Sequence, residues 1–249
     1  MRLTLDVWRQ ADAVTPGAFE THVVADAAPG MSLLELLDRL NESLVEAGAD
    51  PVVFDSDCRE GVCGACGITV DGRPHGPEAN TPSCRQHLRS FRDGARITLE
   101  PLRSGAFPVV RDLVVDRSAL DRLIEAGGFV SVAAGTAPDA DTTPVPHATA
   151  EAALDMAGCI GCGACVAACP NGAAHLFVGG KLAHLALVPQ GGAERGTRAL
   201  SMTARMDAEF GPCSTFGECA KVCPADIPLT AIASVPKESL RARLRGRPD

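Results

Sequence analysis

Aromatic residues are scarce in this chain of 249 residues, which holds eight Phe, one Trp (Trp8) and no Tyr. Base-stacking platforms and tyrosyl chemistry are therefore poor candidates for its role. Positive charge is also short: 23 Lys and Arg stand against 31 Asp and Glu, a formal net charge of −8. Nucleic-acid binders need a basic footprint to displace counterions, and that argues against this class. No apolar stretch approaches the roughly 18–20 residues of a membrane-spanning helix. The opening MRLTLDVWRQ alternates apolar and polar residues and lacks the apolar centre of a signal peptide. The expectation is a soluble, cytoplasmic chain docked on something larger. Nucleophile elbows, phosphate loops and dinucleotide fingerprints are missing too, so no catalytic constellation is expected in this chain alone.

Cysteine, by contrast, is abundant. Eleven fall in three groups: Cys58, Cys63, Cys66 and Cys84; Cys159, Cys162, Cys165 and Cys169; Cys213, Cys219 and Cys223. An odd count, close spacing and no export signal weigh against a disulfide framework and for metal ligation.

Residues 1–104 read as a compact α+β domain. Leu3, Leu5 and Val7 alternate as on one face of a strand, and Phe19–Val24 reads as a second. Ser32 and Glu35 form a capping-box pattern ahead of Leu34, Leu37, Leu40 and Leu44, which recur at helical spacing up to a stop at Gly48. Gly67–Val70 and Arg96–Leu102 are expected to be strands. Residues 105–249 read as an all-α domain, with helices expected over Ser118–Glu125, Ala150–Ala157 and Glu194–Glu209. A Pro/Thr/Asp-rich stretch, Thr136–His147, joins the first two as either an ordered crossing or a loop.

The spacings carry the chemistry. Cys58-x4-Cys63-x2-Cys66 with Cys84 at a distance is the plant-type 2Fe–2S ferredoxin spacing. Gly61, Gly64 and Gly67 between those ligands let the backbone bend and bring N–H groups to sulfur, although any one of them is as readily loop punctuation. Cys159-x2-Cys162-x2-Cys165-x3-Cys169-Pro170 is the bacterial two-cluster run, in which the fourth cysteine serves the other cluster. Cys213-x5-Cys219-x3-Cys223-Pro224 follows the same template, except that Phe216 stands where the second cysteine belongs. Crossing the fourth ligands yields Cys159, Cys162, Cys165 and Cys223 for a 4Fe–4S cluster. It leaves Cys169, Cys213 and Cys219, with an apolar fourth corner, for a 3Fe–4S cluster. The competing reading is a 4Fe–4S cluster whose last iron takes hydroxide or the hydroxyl of Ser214 or Thr215. Structural zinc usually uses two separated Cys-x2–4-Cys pairs, which this pattern does not follow.

With these motifs the chain resembles the iron–sulfur subunits of succinate dehydrogenases and fumarate reductases over nearly its whole length. The resemblance implies a β-grasp, plant-type ferredoxin domain followed by a bacterial-ferredoxin-like helical domain. It also implies a flavoprotein partner holding FAD and a cytochrome b anchor subunit, with haem b confined to partners. Electrons would pass from flavin to the cluster of Cys58, Cys63, Cys66 and Cys84, and leave for quinone from that of Cys169, Cys213 and Cys219. Such a chain would lie peripherally on the cytoplasmic face of the membrane. Ubiquinone-using members carry a Trp after the first Cys-Pro and a His after the first cysteine of the last group. Here Asn171-Gly172-Ala173-Ala174 and Ser214 stand there, a pattern more like menaquinone-using relatives. The resemblance leaves the direction of electron flow open.

Two other readings remain: a free-standing multi-cluster carrier, and a subunit of a thiol-linked fumarate reductase, whose extra cysteine repeats do not follow Cys223 here. Arg59 and Arg85 each follow a cluster cysteine and could raise its potential, or be solvated loop residues. His75, His87, His147, His175 and His184 show no ligand spacing. The basic tail with Lys237, Arg241, Arg243, Arg245 and Arg247 is expected either to be solvated and partly disordered or to touch anionic lipid.

Overall fold

The computed structural model describes residues 1–130, 145–188 and 192–245. Arg247 and most of the 136–147 stretch lie outside them. The first part runs β1 (Leu3–Arg9), β2 (Ala18–Val24), α1 (Leu33–Glu46), β3 (Ile68–Val70), β4 (Arg73–Pro74) and β5 (Arg96–Pro101). They form one mixed sheet in the order β2-β1-β5-β3-β4, with β1 parallel to β5 and the other pairs antiparallel. Period-two alternation puts Leu3, Leu5 and Val7 wholly inside. Opposite them α1 buries Leu33, Leu34, Leu36, Leu37 and Leu40. Each fully buried leucine stabilises by about 1.5–3 kcal/mol relative to exposure.

Both halves of the capping box form: Glu35 N–H donates to Ser32 Oγ at 3.3 Å, and Ser32 N–H to Glu35 Oε2 at 2.6 Å. Two orphan donors at the helix start are thereby satisfied. Gly48, with φ +72°, ends the turn after α1.

A hairpin follows, β6 (Val109–Arg111) with β7 (Val114–Val115), then α2 (Ser118–Glu125), α3 (His147–Ala157), α4 (Ala164–Ala167), α5 (His175–Leu187), α6 (Gly192–Glu209), α7 (Glu218–Lys221) and α8 (Ser234–Leu244). The hairpin corrects the all-α reading of residues 105–249. Its strands are too short to show periodicity and are held by tertiary bonds: Asp112 N–H donates to Gln10 O at 2.9 Å and Leu113 N–H to Val53 O at 3.1 Å. The Asp112 carboxylate, 2% exposed as a residue, accepts the N–H groups of Gln10 and Val53, each at 2.9 Å.

Helix α5 was not foreseen, because it is apolar nearly all round and carries two central glycines. Gly179 is there for contact: a Cβ would stand 2.4 Å from Ala231 O in the 3-10 turn Leu229–Ala233. The basic C-terminal segment is not a loose tail as far as residue 245. It forms α8, and buried Glu238 on it takes a bidentate pair from Arg195 at 2.6 and 2.7 Å.

Leu113 packs in the core of the sheet, whereas Val115 joins a second core with Leu102, Phe107, Val178, Met202 and Met206. The hairpin thus stitches the two cores together. No helix among the described residues is long and apolar enough to cross a membrane.

Asp112→Ala should destabilise the iron-loaded chain by about 3 kcal/mol, since two buried N–H groups lose a charged acceptor. Urea unfolding midpoints measure this. A loss below about 0.5 kcal/mol would mean that the hairpin is held by something else.

Candidate metal centres

The first thiol group lies on a loop without regular structure between α1 and β3. Arg59, Gly61 and Gly64 there adopt φ of +53°, +80° and +73°, curling the chain so that N–H groups turn toward sulfur. Glu60 N–H donates to Cys58 Sγ at 3.3 Å and Ala65 N–H to Cys63 Sγ at 3.4 Å. The Glu60 N–H is the main reason that the Cys58 thiol drops to about 7. Cys84 comes from the 3-10 turn Ser83–Arg85 and is buried. Burial pushes the Cys66 thiol up to about 12, and the adjoining Cys84 adds to the rise. The four sulfurs therefore form one electrostatic neighbourhood.

The remaining seven cysteines divide between two cavities. One is lined by Cys159, Cys162, Cys165 and Cys223, with Ile160, Gly161, Leu176 and Phe177. The other is lined by Cys169, Cys213 and Cys219, with Ser214, Thr215, Phe216 and Gly217. Cys223 thus faces the earlier cysteine run, and Cys169 faces the later one. Burial raises the Cys162 thiol to about 12 and the Cys165 thiol well above its ordinary range. Cys219 is raised for the same reason, with Cys169 and Cys213 adding to it. Backbone donors are present at these groups too: Thr215 N–H to Cys213 Sγ and Ile227 N–H to Cys223 Sγ, both 3.4 Å.

This donor set suits iron–sulfur clusters. Thiols so buried are poor thiolates by themselves, and bound iron compensates their charge. Zinc holds thiolates about 2.3 Å from one point. The seven C-terminal sulfurs line two cavities rather than one point.

The two positions singled out beside the last thiol group touch each other. Asn171 Nδ2 donates to Ser214 Oγ at 2.8 Å and to Pro212 O at 2.9 Å, bracing the Cys169 segment against the Cys213 segment. The Thr215 hydroxyl donates to Ser214 O at 2.8 Å. Gly211 permits the close approach: its Cβ would stand 1.7 Å from Asn171 O.

Arg59 pairs with Asp38, and Arg85 stands 3.6 Å from Glu60, so carboxylates compensate both cations. Reading the sequence missed Arg117, which donates to Gly64 O, to Cys162 O at 3.1 Å and to Ala65 O at 3.3 Å. A lone arginine before a helix carries no signal of that reach. His75, which shows no ligand spacing in the sequence, also has a specific place here. His75 is buried, its Nδ1 accepting the N–H of Ser83 at 3.2 Å, next to Cys84.

Fold and thiol sites together define an iron–sulfur protein, with a 2Fe–2S domain followed by a 4Fe–4S domain. A family described as "2Fe-2S iron-sulfur cluster binding domain" matches residues 4–122, and one described as "4Fe-4S dicluster domain" matches 158–227. The succinate dehydrogenase iron-sulfur subunit of Bacillus subtilis is 29% identical over 85% of this chain and 82% of its own length. The fumarate reductase iron-sulfur subunit of Escherichia coli O6:H1 is 30% identical over 84% of this chain and 81% of its own. A chain of the Mycobacterium smegmatis Sdh1 complex in the apo form superposes with a TM-score of 0.69 at 22% identity, covering 98% of this chain and 96% of that one. The chain belongs to the family of succinate dehydrogenase and fumarate reductase iron–sulfur subunits.

Burial lowers the His75 pKa from 6.5 to about 4. Below pH 6.5 the unfolded chain takes up a proton that the folded chain refuses, so stability falls as pH drops toward 4 and the loss then levels off. The loss should reach on the order of 3 kcal/mol. Urea unfolding from pH 7 to 4, compared with His75→Gln, checks it. Equal acid sensitivity in both proteins would exclude His75 as the source.

Proposed function

We propose that this chain is the electron relay of a succinate:quinone oxidoreductase, between an FAD-containing subunit and a membrane quinone. Cys58, Cys63, Cys66 and Cys84 hold a 2Fe–2S cluster. Cys159, Cys162, Cys165 and Cys223 hold a 4Fe–4S cluster, and Cys169, Cys213 and Cys219 a 3Fe–4S cluster. When bound, these groups supply one-electron transfer. The chain's own part is to bury the thiolates, aim backbone N–H groups at sulfur and keep the two C-terminal groups apart. Residues 1–104 form the β-grasp, plant-type ferredoxin domain, and 105–249 the bacterial-ferredoxin-like domain, with the hairpin added to its helices.

The division of seven cysteines into a four-thiol and a three-thiol cavity carries this reading. Phe216 lines the three-thiol cavity and offers iron no ligand. The alternative donors beside it are engaged, since Ser214 Oγ accepts from Asn171 and Thr215 Oγ1 donates to a carbonyl. The Asn171–Ser214 pair stands where ubiquinone-using relatives carry Trp and His, and for that reason menaquinone is the favoured quinone. The partners in this reading are the flavoprotein and a cytochrome b anchor, which holds the chain on the cytoplasmic face of the membrane.

Air-oxidised protein should give the electron paramagnetic resonance signal of a trinuclear cluster. Phe216→Cys should add a fourth iron at that site and abolish the signal. An oxidised native protein without it, or a variant that keeps it unchanged, removes the basis for the 3Fe–4S assignment.

A further inference from the structure

Arg117 lies where the two cores meet. It is the N-cap of α2, and its neighbours fix its backbone: Asp116 N–H donates to Pro108 O at 2.9 Å, and the Asp116 carboxylate accepts Ser118 N–H at 2.8 Å. From there the guanidinium reaches three carbonyls. Gly64 O and Ala65 O belong to the loop between Cys63 and Cys66, and Cys162 O belongs to the second thiol group. The same two loops touch through their backbones. A Cβ on Gly64 would stand 2.3 Å from Ile160 O and 3.0 Å from Cys162 N, so a side chain there would drive them apart. Backbone and one guanidinium therefore join the first thiol loop to the second at this point.

The charge matters as much as the fork. Carboxylates compensate Arg59 and Arg85. Among the described residues Arg117 forms no ion pair; its hydrogen bonds go to neutral carbonyls. It is half-buried, which limits screening by solvent.

Resting on the relay described above, we propose that Arg117 is a positioning residue for the electron step between the first two centres. It locks the two ligand loops in one geometry, and its uncompensated charge raises the reduction potential of both. In that step one electron leaves the reduced 2Fe–2S centre and enters the 4Fe–4S centre; no bond forms or breaks, and Arg117 keeps its proton. Reduction adds negative charge to a centre, so a nearby cation favours the reduced form. Among the described residues the hydrogen bonds of the Arg117 guanidinium go to the first two ligand loops and to none of Cys169, Cys213 and Cys219, so the third centre serves as the internal control.

The test is a redox titration of the native complex, and of the complex carrying Arg117→Gln or Arg117→Lys, followed by electron paramagnetic resonance. Arg117→Gln should move the 2Fe–2S and 4Fe–4S potentials to more negative values and leave the third unchanged. Arg117→Lys should return both toward native. Failure of Arg117→Gln to load iron, with Arg117→Lys loading fully, also supports the need for a cation here. Unchanged potentials in Arg117→Gln, an equal shift of all three centres, or loss of every cluster in both variants would overturn the proposal. A native complex without three cluster signals would instead defeat the relay itself.

Discussion

The structure depends on a conflict that bound iron resolves: several of these cysteines, among them Cys66, Cys84, Cys162 and Cys223, are buried, yet their sulfurs must be ionised to act as ligands. Burial raises Cys66 and Cys162 to about 12, and Cys165 also lies well above its ordinary range. A thiolate in such surroundings without a compensating charge would cost several kcal/mol. Bound iron would supply that compensating charge and so stabilise the buried centres. Cys159, Cys165 and Cys219 also pack against the hydrophobic clusters of the second half, so the centres are part of its core.

The sheet core is formed by α1 against β1, β5 and β3, with Leu113 of the hairpin added to it. The helical half has a core of its own and takes further anchorage from the sheet half. Asp112 provides it at one place, where the hairpin takes N–H groups from Gln10 and Val53. Arg73, which donates to Lys221 O at 2.9 Å, provides it beside the last cysteine segment. The bare backbone of Gly64 lets the first ligand loop lie against the second.

The sequence made the local parts legible. Leu3, Leu5 and Val7 announce a strand because a half-buried strand has period two, and Ser32 with Glu35 announces a helix start because that pair satisfies two N–H groups. Cysteine spacing is as readable, since a ligand loop needs its sulfurs at set intervals. The grouping of Cys169 with Cys213 and Cys219 is what that template leads one to expect. What stayed hidden depends on contacts distant in sequence. Helix α5 has no polar face to set its period, because neighbours surround it. The β6–β7 hairpin is held by bonds from Asp112 and Leu113 to Gln10 and Val53, which are distant in sequence. Arg117 carries no pattern; its reach is evident only once Gly64, Ala65 and Cys162 are seen around it. The basic segment ending at Arg245 looked like a tail because its anchor, the Arg195–Glu238 pair, spans from α6 to α8.

The central claim is that the thiol groups hold three clusters of different size. Iron and acid-labile sulfide measured per chain on anaerobically purified protein test it most directly. The account predicts roughly nine iron and ten sulfide, the sum of one binuclear, one tetranuclear and one trinuclear cluster. Roughly ten iron would contradict the trinuclear site, and zinc in place of iron and sulfide would contradict the account as a whole.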